Sequence, residues 1–135
     1  MAASDVFTVI VSSGSLRPDS HDGIVMPHRW TDAGVVVEAE FTGAHLYQLA
    51  AAGCVLNDVH REAQRLGIPV DGVRVSASGA FDTTTWASLG VGYSVEVDSS
   101  ASEDDIARLV AVVEQVAEIP KALAQPTTVT RSIGP

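Results

Sequence analysis

Residues 6–11 (VFTVIV) are β-branched and aromatic throughout, the composition of a strand. Residues 12–23 (SSGSLRPDSHDG) are polar and carry glycine and proline, so they read as a loop. Ile24–Met26 follows as a short strand that Pro27 weakens or pushes to a sheet edge, and Asp32-Ala33-Gly34 is a turn. From Val35 to Phe41 the period is two. Val35, Val37, Ala39 and Phe41 share one side and Glu38 and Glu40 the other, which predicts a half-buried antiparallel strand.

After Thr42, a residue suited to cap a helix, the period becomes helical. Leu46, Leu49, Ala50, Gly53 and Leu56 form a stripe that Val59, Ala63 and Leu66 continue. Residues 41–57 contain no Asp, Glu, Lys or Arg, which predicts a helix buried on all sides over its first half. Asp58, Arg61, Glu62 and Arg65 make the second half amphipathic, and Gly67 and Pro69 stop it. Residues 70–80 and 86–98 are strands joined by 81–85, a predicted hairpin. Val73, Val75 and Ala77 line one side of the first strand. Leu89, Val91, Tyr93, Val95 and Val97 line one side of the second.

Ser102 and Asp105 have capping-box spacing and open a second helix, whose acidic first turn suits the positive end of the helix dipole. Its predicted buried stripe is Ile106, Leu109, Val110, Val113 and Val116, and Pro120 ends or kinks it. Residues 126–133 (PTTVTRSI) are a predicted last strand. Helices interrupting antiparallel strands define an α+β class, as one domain over residues 1–135. The first helix is too apolar to face water, so two sheets or a second subunit must cover it.

Charge narrows the function. Eight Lys and Arg against 17 Asp and Glu give −9, which disfavours nucleic acid and anionic membranes as partners. The N-terminus lacks the basic start of a signal peptide, and the uncharged run is short for a membrane span, so a soluble cytoplasmic protein is expected. A lone cysteine excludes an internal disulfide and Cys-pair metal motifs. His21, His28, His45 and His60 have no metal-ligand spacing, so neither a metal nor a cofactor is expected.

The lone cysteine, Cys54, is the candidate for chemistry. A thiol reacts as thiolate, and its ordinary pKa of about 8.5 rises on burial. Cys54 sits about three turns into the helix, beyond the reach of the dipole, so a cation must activate it. Tyr47, Ala50, Asn57, Asp58 and Arg61 share its face. Asn57 is placed to bond a substrate oxygen. Asp58 opposes a thiolate and has Arg61 as an i, i+3 partner. The candidate pocket is therefore Cys54, Tyr47, Asn57 and Asp58 with Arg17 or Arg29 brought by the fold or by a partner chain. The plainer alternatives are a cysteine acting as a small apolar core residue, an ordinary Asp58–Arg61 ion pair, and a solvated Glu118 at a helix end.

AAAGCVLND, followed by REAQRLGIPVDGVRV, resembles the first helix of the OsmC/Ohr family. That resemblance implies an intertwined homodimer, with two six-stranded sheets wrapped around central helices, and cysteine-based reduction of peroxides. Cys54 matches the family's reactive cysteine. Ile119 stands where the second, resolving cysteine precedes a proline, and Ala44 stands where the Ohr branch has a glutamate. Arg17 is the candidate for the activating arginine of the N-terminal loop, and Glu118 points at the pocket if its helix packs as in the family. Two functions follow. One is a one-cysteine thiol peroxidase that reduces organic hydroperoxides in oxidative-stress defence and is regenerated by an external thiol. The other is a repurposed OsmC-fold protein that binds or transforms a small molecule at a dimer interface without peroxidase turnover.

Overall fold

The computed structural model describes residues 2–134. Its elements are β1 (Phe7–Gly14), β2 (Ile24–Met26), β3 (Val35–Glu38), α1 (Gly43–Leu66), β4 (Gly72–Phe81), β5 (Ser88–Asp98), α2 (Glu103–Val116) and α3 (Glu118–Leu123). The strands form one five-stranded sheet in the order β2-β3-β1-β4-β5, antiparallel at every pairing. The class is α+β, as the pattern predicts. A sheet of five strands stands in this chain where the resemblance implies six.

One sheet face carries Val9 and Val11 from β1, Val35 and Val37 from β3, and Val73, Val75 and Ala77 from β4. α1 lies on it with Ala52, Val55, Leu56, Val59 and Ala63, and Leu109, Val113 and Ala117 join the same core. Each such aliphatic side chain larger than alanine contributes about 1.5–3 kcal/mol on burial. The caps of α1 are those the sequence predicts. Thr42 accepts a hydrogen bond from the His45 amide, and Gly67 ends the helix in the left-handed region at φ 70°. Ser102 caps α2 by accepting from the Asp105 amide.

Four expectations are corrected. The stripe predicted on α1 holds at Leu56, Val59 and Ala63 but is rotated before them: Gln48, Ala51, Ala52 and Val55 are buried, whereas Leu46 is 37% exposed. Apolar residues cover every face of this half-helix, so periodicity cannot choose the inward one. β3 ends at Glu38 and Phe41 is 92% exposed, because Glu40 and Thr42 turn the backbone into the helix cap. α2 ends at Val116, before Pro120: Ala117 takes an extended conformation and Pro120 lies in the first turn of α3, where a missing N–H is harmless. Residues 126–133 form no strand, and Val129 and Ile133 are each 94% exposed. Within the one chain these residues pair with neither edge strand of the sheet, β2 or β5.

Candidate functional site

The break at Ala117 decides the site. It turns α3 back across α1 and sets Glu118 over the Cys54 turn. The Cys54 Sγ donates to Glu118 Oε2 at 3.4 Å and lies 3.9 Å from Asp58 Oδ2. Arg61, two helical turns along, reaches back to bind Glu118 Oε1 at 3.1 Å, Asp58 Oδ1 at 3.3 Å and Glu62 Oε2 at 3.3 Å. The i, i+4 and i, i+7 spacing along one helix supplies thiol, carboxylate and guanidinium, and α3 adds the second carboxylate.

The two carboxylates differ. Asp58 is buried, and burial raises its pKa to about 6 although Arg61 opposes the shift. Glu118 is open to solvent, and bonds from its own backbone amide and from Arg61 hold its carboxyl below the usual range. Partial burial pushes the Cys54 thiol up, the backbone amide of Ile119 opposes this, and the negative charges of Asp58 and Glu118 add to it. The thiol at rest is protonated and hydrogen-bonded to an ionised carboxylate. The donor atoms of Cys54, Asp58 and Glu118 all lie within 4.8 Å of one another, so these three side chains could meet a single divalent cation. Arg61 already supplies the positive charge there.

The other predicted residues lie apart from the thiol. Asn57 Oδ1 is 3.0 Å from His28 Nε2, in a cluster where the His28 and His60 rings meet edge-on at 5.2 Å and His60 Nε2 lies 2.8 Å from Ser13 Oγ. Burial and the neighbouring His28 lower the pKa of His60 to about 4. Tyr47 packs edge-on against Phe81 at 5.3 Å, in an aromatic recess with Phe7 and Trp86. Arg17 donates to the Ala33 carbonyl at 2.8 Å and so ties the N-terminal loop to the turn before β3. Arg29 lies over the Trp30 ring and lines a cleft of about 610 Å³ with His60 and Arg61. Sequence reasoning gave Arg61 to Asp58 alone and did not foresee its bond to Glu118. The signal for that was the resemblance, which points Glu118 at the pocket if its helix packs as in the family.

The fold is shared with an OsmC-like hydroperoxide resistance protein from Jannaschia sp. CCS1. The two superpose with a TM-score of 0.62 over 96% of this chain and 92% of that one, at 14% identity. Residues 37–132, which carry α1 with its thiol and all that follows to the C-terminal segment, match the sequence profile of OsmC-like proteins, and the chain belongs to that family. Comparison with curated proteins gives no match. No helix among the described residues is long and apolar enough to cross a membrane.

Proposed function

We propose that the chain is a one-cysteine thiol peroxidase that reduces organic hydroperoxides in defence against oxidative stress. The observation that carries this reading is the continuous contact from Cys54 Sγ through Glu118 to Arg61, at 3.4 and 3.1 Å. Cys54 is the nucleophile, Glu118 the base and Arg61 the cation facing the departing oxygen. As the sulfur attacks the terminal peroxide oxygen, the O–O bond breaks and the thiol proton passes by way of Glu118 to the leaving alkoxide. The products are one alcohol and the sulfenic acid of Cys54. A first external thiol converts the sulfenic acid to a mixed disulfide with release of water, and a second releases Cys54 as thiol. Ile119 stands at the resolving position, so both reducing thiols come from outside the chain.

The relationship to hydroperoxide resistance proteins supports the substrate class. In this reading, Glu118 and Arg61 take the parts that the resemblance assigned to positions 44 and 17. The test is consumption of an organic hydroperoxide with dithiothreitol as reductant, wild type against Cys54→Ser, with dimedone to trap the sulfenic acid. Equal rates for the two proteins end the proposal.

A second reading, binding of a small molecule without redox turnover, is favoured by one fact: burial and two carboxylates raise the thiol pKa rather than lower it. A Cys54 that dimedone never labels under peroxide selects that reading. We further propose a homodimer. Ile24, Phe41 and Leu46 are 62%, 92% and 37% exposed, and the extended C-terminal segment is unpaired, so a second copy has apolar surface to cover on both. A single species at monomer mass in analytical ultracentrifugation at micromolar concentration contradicts it.

A further inference from the structure

Glu62 is a buried charge that the chemistry above leaves unused. It is 6% exposed, and an ionised carboxylate in such a place needs partners to offset the water it has lost. Two guanidiniums supply them. Arg65 donates to Oε1 from Nε at 2.9 Å and from Nη2 at 2.8 Å, and Arg61 Nε donates to Oε2 at 3.3 Å. Bonds from Arg65 and from Arg61 hold the Glu62 carboxyl below the usual range.

The two pairings differ in origin. Arg65 is the i, i+3 neighbour of Glu62, and helical spacing brings such a pair together unaided. Arg61 is the adjacent residue, and adjacent side chains on a helix diverge by about 100°. That contact exists because the Arg61 side chain bends round toward Glu62. The same guanidinium reaches Asp58 with Nη2 at 3.3 Å and Glu118 with Nη1 at 3.1 Å, so each of its nitrogens has its own carboxylate. A guanidinium is a rigid plane, so a bond at Nε fixes where the Nη atoms point. Asp58 and Glu62 are buried and lie on α1 with Arg61. Glu118 comes from α3 and is open to solvent. The two buried carboxylates therefore set the plane, and the exposed one meets it.

We propose that Glu62 is a positioning residue: with one oxygen held by Arg65, it presents the other to Arg61 Nε and so aims the Arg61 guanidinium at Glu118, beside the thiol. Its meaning for catalysis rests on the peroxidase reading, in which Glu118 is the base, but the aim itself does not. The plainer role, neutralising two arginines, has the opposite sign. Removing the Glu62 charge while Arg61 stays in place lets Glu118 ionise more readily and lowers its pKa. Losing the aim takes Arg61 away from Glu118 and raises that pKa toward the ordinary 4.5.

The test follows the side-chain carboxyl carbon of Glu118 by NMR as a function of pH, the signal being assigned by its absence in Glu118→Gln. In Glu62→Ala the Glu118 midpoint moves up from its wild-type value toward 4.5. Arg61 then offsets the two carboxylates beside Cys54 less well, so alkylation of the thiol by iodoacetamide near neutral pH slows, by about twofold for each half unit that the thiol pKa rises. Glu62→Asp keeps the charge and shortens the reach by one methylene. The Glu118 midpoint rises there too, and this variant decides the question if Glu62→Ala fails to fold. A midpoint that falls or stays put in Glu62→Ala overturns the inference, as does an unchanged midpoint in Glu62→Asp. The titration uses no hydroperoxide, so a wild type without peroxidase activity ends the peroxidase reading and leaves this inference to be decided by Glu118.

Discussion

Replacing Asp58 by asparagine tests the electrostatics of the thiol directly. Asp58 Oδ2 lies 3.9 Å from Cys54 Sγ. Two unit charges at about 4 Å repel by about 4 kcal/mol at an effective dielectric constant of about 20. Arg61, 3.3 Å from the other Asp58 oxygen, cancels part of that. If about half survives, the thiolate is penalised by about 2 kcal/mol, or about 1.5 pKa units. Asparagine keeps the shape and removes the charge, so the thiol pKa falls by about 1–2 units. While the pKa stays above the assay pH, each unit gives about ten times more thiolate, but nucleophilicity declines with a Brønsted slope of about 0.4–0.5. The net gain in reactivity is about 3- to 16-fold. Because the Asp58 carboxyl titrates at about 6, the gain is present above that pH and fades below it. The chain has one cysteine, so its alkylation by iodoacetamide as a function of pH reports this thiol alone. A thiol pKa that stays put or rises in Asp58→Asn refutes the argument, as does a gain of the same size below pH about 5, where Asp58 in the wild type is already neutral.

Three further outcomes are expected. Glu118→Gln lowers the thiol pKa and speeds alkylation, yet slows hydroperoxide reduction by about 10²-fold because the base is lost; both rates rising together eliminates Glu118 as the base. Urea unfolding between pH 4 and 6.5 separates two opposing groups. Asp58, raised from 3.8 to about 6, contributes stability that is complete below pH 4 and lost as the pH rises through 6. His60, lowered from 6.5 to about 4, contributes stability that is complete above pH 6.5 and lost as the pH falls through 4. Asp58→Asn leaves the His60 contribution alone, so stability drops by about 1–3 kcal/mol on acidification, after discount for the solvent that reaches this half-buried ring; a flat profile in that variant contradicts the burial of neutral His60. Gly79→Ala drives a Cβ to 2.5 Å from the Gly90 carbonyl and destabilises by about 1–3 kcal/mol in denaturant, and a change under about 0.5 kcal/mol would show that the β4–β5 pairing relaxes freely.

The strands and caps were legible because each rests on a local rule. Val73, Val75 and Ala77 face inward as their alternation predicts, and Thr42, Gly67 and Ser102 cap their helices by geometry that needs no distant partner. The facing of α1 was not legible, because an uncharged half-helix offers no polar side to point outward. Gln48 shows the same limit: nothing near it in AHLYQLAAAG singles it out as an inward position, and it is Gly79, distant in sequence, that leaves room for its amide against β4. The predicted strand at 126–133 carries β-forming residues, but strand propensity is realised only against a partner edge.

The site was half legible for a related reason. Cys54, Asp58 and Arg61 come from one helix, so their spacing alone places them together. Glu118 joins them only because Ala117 breaks α2 before Pro120, and that turn depends on tertiary packing. Its arrival alters the chemistry the thiol can perform. A thiol between two carboxylates is poorly ionised at rest, so a rate that relied on standing thiolate would climb tenfold per pH unit toward the thiol pKa. A thiol already donating to an ionised carboxylate loses its proton as the sulfur attacks. Its rate then follows the ionisation of Glu118, which Arg61 and the backbone amide hold below the usual carboxylate range. Hydroperoxide reduction by this site should therefore be nearly level from mildly acidic to neutral pH, while alkylation by iodoacetamide, which attacks standing thiolate, keeps its steep climb over the same range.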